Sequence, residues 1–404
     1  MPEITHRTVP PFVSLIVGNV LFATGLIFHA FLYNFYLEAL GLSPQVMGHA
    51  AAALTGGGLA MLLPAGVFTD RVGGHVAITT AAVVLAAGLA LGAWAASPLA
   101  IYGAAAVAGA GSGIWRVATP PILMGLTGPA NRARAFAWNV GLLVAWGGIG
   151  TAAAGAASHW LEAGLGMARL PALRAALVLG AAGTATSLLL FRAVRASAAP
   201  PRAGGPPPAA PERPRPDSGR WMLPLVGLVA VWMLGPALAA PFFNIYFARE
   251  YGLSIERVGL LLAAANLGWA LAVFGSGEVA SRVGVRRLLV SSLLFFAPAT
   301  WGLSFAGTLG LASALYFLQG LVAPVTNPLI DQWLLGQVPP ARQGVVSSWR
   351  QVAADGSAMV GASLGGWLLA GGVFGSLFAV AGALGLVGAL GLIAGARVRR
   401  GDQS

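Results

Sequence analysis

Long apolar runs recur along the whole chain, and they constrain its fold more than any other feature. Each has about 20 residues or more, enough for a helix to cross a hydrocarbon core of roughly 30 Å. A spanning segment must satisfy its own backbone hydrogen bonds, which leaves helices or closed barrels, and a barrel would need short alternating segments. We therefore predict membrane-spanning helices over residues 11–37, 44–68, 75–96, 98–125, 133–160, 171–193, 221–248, 256–279, 287–306, 308–336, 345–370 and 373–396.

The composition is typical of a polytopic membrane protein. Hydrophobic residues make up 57% of the sequence and charged residues only 9%, which does not fit a soluble protein of this length. A net charge of +11 would favour a nucleic-acid partner, but most of the 23 basic residues, all of them arginine, fall on one side of the predicted topology. The positive-inside rule then makes both termini cytoplasmic. We predict a multi-pass protein of the cell (inner) membrane that contacts the lipid bilayer and no nucleic acid.

The chain also contains an internal duplication. The segment GVFTDRVG at residues 66–73 returns in altered form as GEVASRVG at residues 277–284, 211 residues later. GLS at residues 41–43 returns at the same offset. A repeat of this length is two copies of a domain-sized unit. We predict a first bundle over 1–193, a Pro/Arg-rich cytoplasmic linker over 194–220, a second bundle over 221–396 and a cytoplasmic tail over 397–404.

This duplication, with its Gly-x-x-x-Asp-Arg-x-Gly segment after the second helix, resembles the major facilitator superfamily of transporters. The resemblance covers nearly the whole chain. It implies an all-α polytopic membrane protein with twelve transmembrane helices in two pseudo-symmetric six-helix bundles. It also implies that the first, fourth, seventh and tenth helices line a central cavity. The family's drug antiporters carry a Gly-Pro pair in the fifth helix, and no such pair occurs in the fifth predicted helix of this sequence, residues 133–160.

The repeated segment is a candidate conformational latch. Its acid, Asp70, is replaced by Ser281 in the second copy. The alternative to a latch is a tight loop in which Asp70 caps the next helix. The predicted latch residues, with their possible arginine partners, are Gly66, Asp70, Arg71, Gly73, Arg132, Arg282 and Arg342.

Two ionisable residues within the predicted spans stand out, because burying a charge in a bilayer is costly and is by default a sign of function. Arg116 lies midway along the fourth helix and Asp331 in the tenth. At the repeat offset Asp331 corresponds to Pro120, one turn from Arg116, so we expect both to face one cavity. They either form an ion pair that holds the two halves together, or protonation of Asp331 releases Arg116 and couples a proton to substrate movement.

Two further residues are candidates for proton coupling. Asp355 shares the eleventh helix with Arg350, but a spacing of five residues is off the favourable three or four, so we expect them to face different partners. His29 is either a proton relay or a hydrogen-bonded packing residue.

A set of polar and aromatic residues predicts the substrate cavity. Asn34 and Tyr36 have counterparts in Asn244 and Tyr246, which predicts an outer gate or rim; the alternative is that the tyrosines mark the membrane interface. The full predicted set is Arg116, Asn19, Trp115, Asn34, Tyr36, Asn244, Tyr246 and Asn327.

These features predict a secondary active transporter that moves a small amphipathic molecule by alternating access. We favour proton-coupled export of a drug-like or lipid-like substrate by a monomer. The alternatives are proton-coupled uptake of a polar metabolite, facilitated diffusion, and a non-transporting sensor or scaffold. The chain has no cysteine, no phosphate-cradling Gly-x-x-x-x-Gly-Lys loop and no visible nucleophile-base or metal-ligand set. We therefore expect no enzyme activity, no cofactor and no metal.

Overall fold

The structure is a computed structural model that describes residues 10–194, 222–335, 338 and 340–401, and within these residues it contains helices and no strand. Each predicted span coincides with helix, to within a few residues at most ends. The helices are α1 (Pro11–Ala39), α2 (Pro44–Val72), α3 (Gly74–Trp94), α4 (Pro98–Gly125), α5 (Arg132–His159), α6 (Arg169–Val194), α7 (Met222–Ala239), α8 (Phe243–Tyr251), α9 (Ile255–Val283), α10 (Val285–Leu303), α11 (Leu309–Leu335), α12 (Pro340–Leu369) and α13 (Phe374–Gly401).

The seventh predicted span differs from the prediction, because it is broken into α7 and α8. A short 3₁₀ turn, Ala240–Phe242, separates the two helices. Pro241 lies in this turn; it has no backbone N–H to donate and its ring is incompatible with the interior of a helix. The other membrane prolines, such as Pro324 and Pro328 in α11, are accommodated without a break in the helix.

The repeated segment has the same backbone geometry in both copies. Gly73 separates α2 from α3 with φ 85°, and Gly284 separates α9 from α10 with φ 93°. Glycine adopts this left-handed region without the steric cost that other residues incur. In each copy, the repeated segment therefore forms the end of a helix, α2 or α9. A single glycine follows, and the chain changes direction there.

The described helices are suited to a membrane. Ten of them, or parts of them, are long and apolar enough to cross a bilayer. A shorter apolar stretch, Arg287–Leu303, belongs to α10. The 30-residue α12 is long enough but carries Arg350 and Asp355. The chain is thus a multi-pass helical membrane protein.

The helices group into two compact units. The first is Met1–Tyr36 with Gly56–Gly205, and the second is Leu37–Thr55 with Pro206–Ser404. The sequence-based division put residues 37–55 in the first bundle instead. Residues 195–220 of the predicted linker and 402–404 of the tail lie outside the described residues, so the predicted bundle boundaries stay predictions.

Close backbone packing explains why the start of α2 groups with the second unit. A methyl group on Gly48 would overlap the carbonyl oxygen of Ala362, and it would also crowd Gly366 on α12. Small residues at such a crossing let two membrane helices approach closely. The contact is therefore specified by paired glycines.

The first unit contains an equally close crossing between α3 and α4. A Cβ on Gly88 would overlap the backbone nitrogen of Ala108, and a Cβ on Gly111 would overlap the backbone nitrogen of Leu85. These two glycines keep α3 and α4 in direct backbone contact, which positions the α4 residues of the candidate site.

Replacing Gly88 with alanine should destabilise this crossing by about 1 to 3 kcal/mol, the usual cost of overpacking. Gly103→Ala is the matched control on α4, because an added Cβ there meets no atom within 4 Å. The control should be neutral or slightly stabilising. Thermal unfolding of the purified protein measures both variants, and an equal Tm for the two would contradict the packing described.

Candidate functional site

A buried hydrogen-bond network joins three helices of the first unit. Asn19 on α1 is fully buried; its Nδ2 donates to Oδ1 of Asn139 on α5 at 2.9 Å. Nε1 of Trp115 on α4 donates to Oδ1 of Asn19 at 2.8 Å. The predicted cavity residues Asn19 and Trp115 are thus in contact, while Asn139 was not predicted. Because buried amides need partners, this network fixes the mutual positions of the three helices.

Aromatic rings extend this network along α1. The Trp115 ring stacks on Phe22 with a centroid distance of 4.9 Å and an interplanar angle of 18°. Nε1 of Trp146 on α5 donates to Oγ1 of Thr24 at 3.0 Å. Two indole N–H groups are therefore satisfied by α1, and their rings supply a half-buried aromatic surface.

Arg116 follows Trp115 on α4 and is half-buried. Pro120 lies four residues later and cannot donate a backbone hydrogen bond to the carbonyl of Arg116. The backbone beside this arginine thus lacks one helical hydrogen bond. The predicted pairing of Arg116 with Asp331 would join residues of different units, and it stays a prediction.

In the second unit, Asp331 forms an ion pair with Arg350 of α12. The Arg350 side chain is 16% exposed and that of Asp331 is 39% exposed. Asp331 lies four residues before the end of α11. The acid therefore combines a cationic partner with a surface that the protein covers only in part. Arg350 was not predicted as this partner.

Two other polar residues flank the ion pair on the same helices. Asn327 lies one turn before Asp331 on α11, and its Oδ1 is buried without a hydrogen-bond partner among the described residues. Asp355 on α12 accepts a hydrogen bond from Nε2 of Gln351 at 3.1 Å. The two candidate proton-coupling acids thus have different immediate partners, an arginine for Asp331 and an amide for Asp355.

The polar residues in the second half of α1 are buried rather than exposed to an open cavity. His29 is buried, and its ring stacks on Tyr33 with a centroid distance of 3.9 Å. Asn34 is buried as well. This arrangement of His29 is the one expected of a packing residue.

Tyr36 and Tyr246 play matching parts in the two units. The Tyr36 hydroxyl donates to the carbonyl of Ala95, just after α3, at 3.1 Å. The Tyr246 hydroxyl donates to the carbonyl of Leu303, at the end of α10, at 3.0 Å. Both tyrosines are buried, as is Asn244. Each tyrosine therefore ties a helix end within its own unit.

The latch residues of α2 lie directly before α3. The N-cap residue of α3 is Gly73, which has no side chain to cap the helix, so the latch and the cap both stay predictions for Asp70. An added Cβ at Gly66 would meet no atom within 4 Å. The described residues therefore leave open space beside this glycine.

The predicted arginine partners of the latch lie mostly on the surface. Arg71 and Arg132 are exposed. Arg282 pairs with Glu278, four residues earlier on α9, at 2.7 Å, and both side chains are largely exposed. The side chain of Arg342 lies outside the described residues. The latch itself stays a prediction.

A second ion pair joins the end of α1 to the end of α8. Nε of Arg249, in the last turn of α8, donates to Oε1 of Glu38 at 2.7 Å, and the side chains are 38% and 27% exposed. The two residues are 211 positions apart, which is the repeat offset. Both belong to the second unit. Equivalent positions of the two repeats thus carry opposite charges and pair with each other.

Comparison with known proteins is consistent with this architecture. The family model of the Major Facilitator Superfamily matches residues 225–403. The multidrug export protein EmrB of Escherichia coli (strain K12) is 27% identical over 138 residues, covering 30% of this chain and 27% of EmrB. The multidrug resistance protein MdtH of Aeromonas salmonicida (strain A449) is 31% identical over 153 residues, covering 37% of this chain and 38% of MdtH. The chain thus matches well under half the length of these curated relatives.

The fold is shared over a longer span. The crystal structure of the nucleoside transporter NupG has a TM-score of 0.74 and 13% identity, covering 96% of this chain and 99% of that one. The helices and their repeats define a polytopic membrane protein built from two related units. The Major Facilitator Superfamily model thus matches the second half of the chain, and the chain as a whole shares the fold of NupG.

Reversing either charge of the Glu38–Arg249 pair should destabilise the protein, whereas reversing both should recover most of the loss. For a partly exposed pair the coupling should be about 0.5 to 1 kcal/mol. The variants are Glu38→Arg, Arg249→Glu and their combination, and thermal unfolding is the measurement. Arg257→Glu, an exposed arginine in the first turn of α9, controls for the change in net charge. Strictly additive effects would show that the pair contributes nothing.

Proposed function

We propose that the protein is a secondary active transporter that exports a small amphipathic molecule by alternating access, in exchange for protons. The observation that carries this proposal is the Asp331–Arg350 ion pair between α11 and α12, in a chain whose second half matches the Major Facilitator Superfamily model. By the predicted topology the protein lies in the cell (inner) membrane with both termini cytoplasmic, and it acts as a monomer.

Protonation of Asp331 is the proposed coupling step. The ionised carboxylate is held by Arg350, and adding a proton removes the charge that attracts the guanidinium. The arginine is then left without its counter-charge in a largely buried setting, which is unfavourable. A conformational change that gives Arg350 a new partner or water would relieve this cost. The proton thereby shifts the population between two conformations.

The surroundings of Trp115 favour a substrate with an apolar body. The buried amide of Asn19 is already satisfied by Asn139 and Trp115, so it offers little to a hydrogen-bonding ligand. The rings of Trp115 and Phe22 are stacked beside it. An aromatic wall with few uncommitted polar groups suits an amphipathic molecule, and the multidrug names of EmrB and MdtH support the same choice.

Arg116 is proposed to contact an anionic or zwitterionic part of the substrate, as the sequence analysis predicted. It follows Trp115 directly, and Pro120 removes one backbone hydrogen bond beside it. A charged group next to an aromatic wall would bind a molecule with one polar end and one apolar end.

Uptake of a polar metabolite is the second candidate, favoured by one observation. Asn327 has a buried oxygen without a partner among the described side chains and backbone, which a hydroxyl or amine of a polar substrate could satisfy. The structural neighbour NupG is named as a nucleoside transporter. A thermal-shift panel of drugs, amphiphiles, nucleosides and sugars separates the two candidates, because a ligand of the folded state raises its apparent stability.

With a ligand from that panel, Asp331→Asn should abolish substrate flux driven by a pH gradient. It should retain exchange down the substrate's own gradient when the substrate is at saturating concentration, because an asparagine fills the same space but cannot exchange a proton. Proteoliposomes with an imposed pH gradient provide the measurement, and Glu250→Gln, an exposed acid at the end of α8, is the control. Undiminished pH-driven flux in Asp331→Asn would refute the assignment and point to Asp355.

A further inference from the structure

The ion pair between α11 and α12 has the features of a binding site as well as of a coupling element. Arg350 is largely buried, yet Asp331 is 39% exposed, so the protein leaves part of the acidic side chain uncovered for a ligand. We infer that Asp331 and Arg350 together recognise the headgroup of a zwitterionic amphiphile. This inference rests on the proposed function, because it names the substrate class of the same transporter.

The energetics of a partly buried ion pair select the charge of the ligand. A cation that takes Asp331 leaves Arg350 without a counter-charge, and an anion that takes Arg350 leaves Asp331 without one. Removing one partner of such a pair is costly because the remaining charge is uncompensated. A zwitterion supplies a cation to Asp331 and an anion to Arg350, so both charges stay paired.

Asn327 adds a third contact on the same face of α11. It precedes Asp331 by one helical turn, and residues four apart on a helix are neighbours on its surface. Its Oδ1 is a buried acceptor without a partner among the described residues. An acceptor beside a carboxylate is suited to the N–H groups of an ammonium, so the cationic end of the ligand belongs on α11.

The same geometry fixes how binding depends on protons. A proton on Asp331 removes the partner of the ligand's cation, so proton and zwitterion compete for one site. Competition of this kind is what an exchanger requires. A plain anion would behave oppositely, because it would bind Arg350 best once Asp331 was protonated.

The other charged groups on the helices around Asp331 support assigning the ligand site to the Asp331–Arg350 pair. α11 packs against α9, α10 and α12. The described charged residues on these helices are Glu256, Arg257, Glu278 and Arg282 on α9, Arg287 on α10, and Arg350 and Asp355 on α12. Glu278 and Arg282 pair with each other, and Glu256 and Arg257 lie at the opposite end of α9. Arg350 is the one of these shown in contact with Asp331.

Three probes with one alkyl tail and different heads test the inference. They are N-octylglycine, which is zwitterionic, octylammonium, which is cationic, and octane-1-sulfonate, which is anionic. Binding is measured by thermal shift on the full chain in lipid nanodiscs, at alkaline and at acidic pH. We expect the zwitterion to bind best, and its affinity to fall on acidification.

Single neutralisations should change which charge is preferred. Asp331→Asn and Arg350→Gln should each weaken zwitterion binding by about tenfold or more, corresponding to about 1.4 kcal/mol. Arg350→Gln should gain affinity for the cation, and Asp331→Asn for the anion. A merely structural pair would lose stability without this exchange of preference. Glu250→Gln and Arg257→Gln, both exposed, are the matched charge controls.

Two results would overturn the inference. One is equal binding of all three probes to the unmodified protein, and the other is zwitterion binding that does not change in Asp331→Asn and Arg350→Gln. Either result could occur while pH-driven flux still depends on Asp331, in which case the proposed function stands and the substrate class is wrong. Loss of that dependence in the flux assay identifies failure of the proposed function itself.

Discussion

The lack of water in the bilayer core is the constraint on which the rest of this structure depends. Backbone N–H and C=O groups must pair within each spanning segment, so the chain is helical throughout its described spans. Contacts between helices then depend on small residues and on a few polar side chains. The glycine crossing of α3 with α4 and the Asn19 network are examples of these two devices. The few charges near the membrane consequently stand out as functional.

The sequence duplication is visible as repeated geometry. Gly73 and Gly284 break the chain with similar positive φ angles, and Tyr36 and Tyr246 tie equivalent helix ends. The functional candidates lie where the repeats differ. Asp331 corresponds to a proline in the first half, so the ion pair with Arg350 has no counterpart at the equivalent position. Loss of symmetry at this site lets one unit carry a charge that the other does not.

Much of the fold was predictable from the sequence, because apolar length and repeated glycines are local signals. The spans matched the helices, and the break between α2 and α3 lay at the repeated segment. The partner of Asp331 was not predictable in the same way. The repeat offset pointed to Arg116, whereas the observed contact with Arg350 depends on how α12 returns alongside α11. Pro241 alone did not predict the separation of α7 from α8 either, because Pro324 and Pro328 lie inside α11 without breaking it.

The central claim is that Asp331 exchanges a proton under the control of Arg350. Infrared difference spectroscopy during a pH titration measures this directly, because protonated and ionised carboxyl groups absorb at different frequencies. We expect a carboxyl band that titrates in the unmodified protein. This band should disappear in Asp331→Asn and titrate at a different pH in Arg350→Gln. A titrating band that is unchanged in both variants would contradict it.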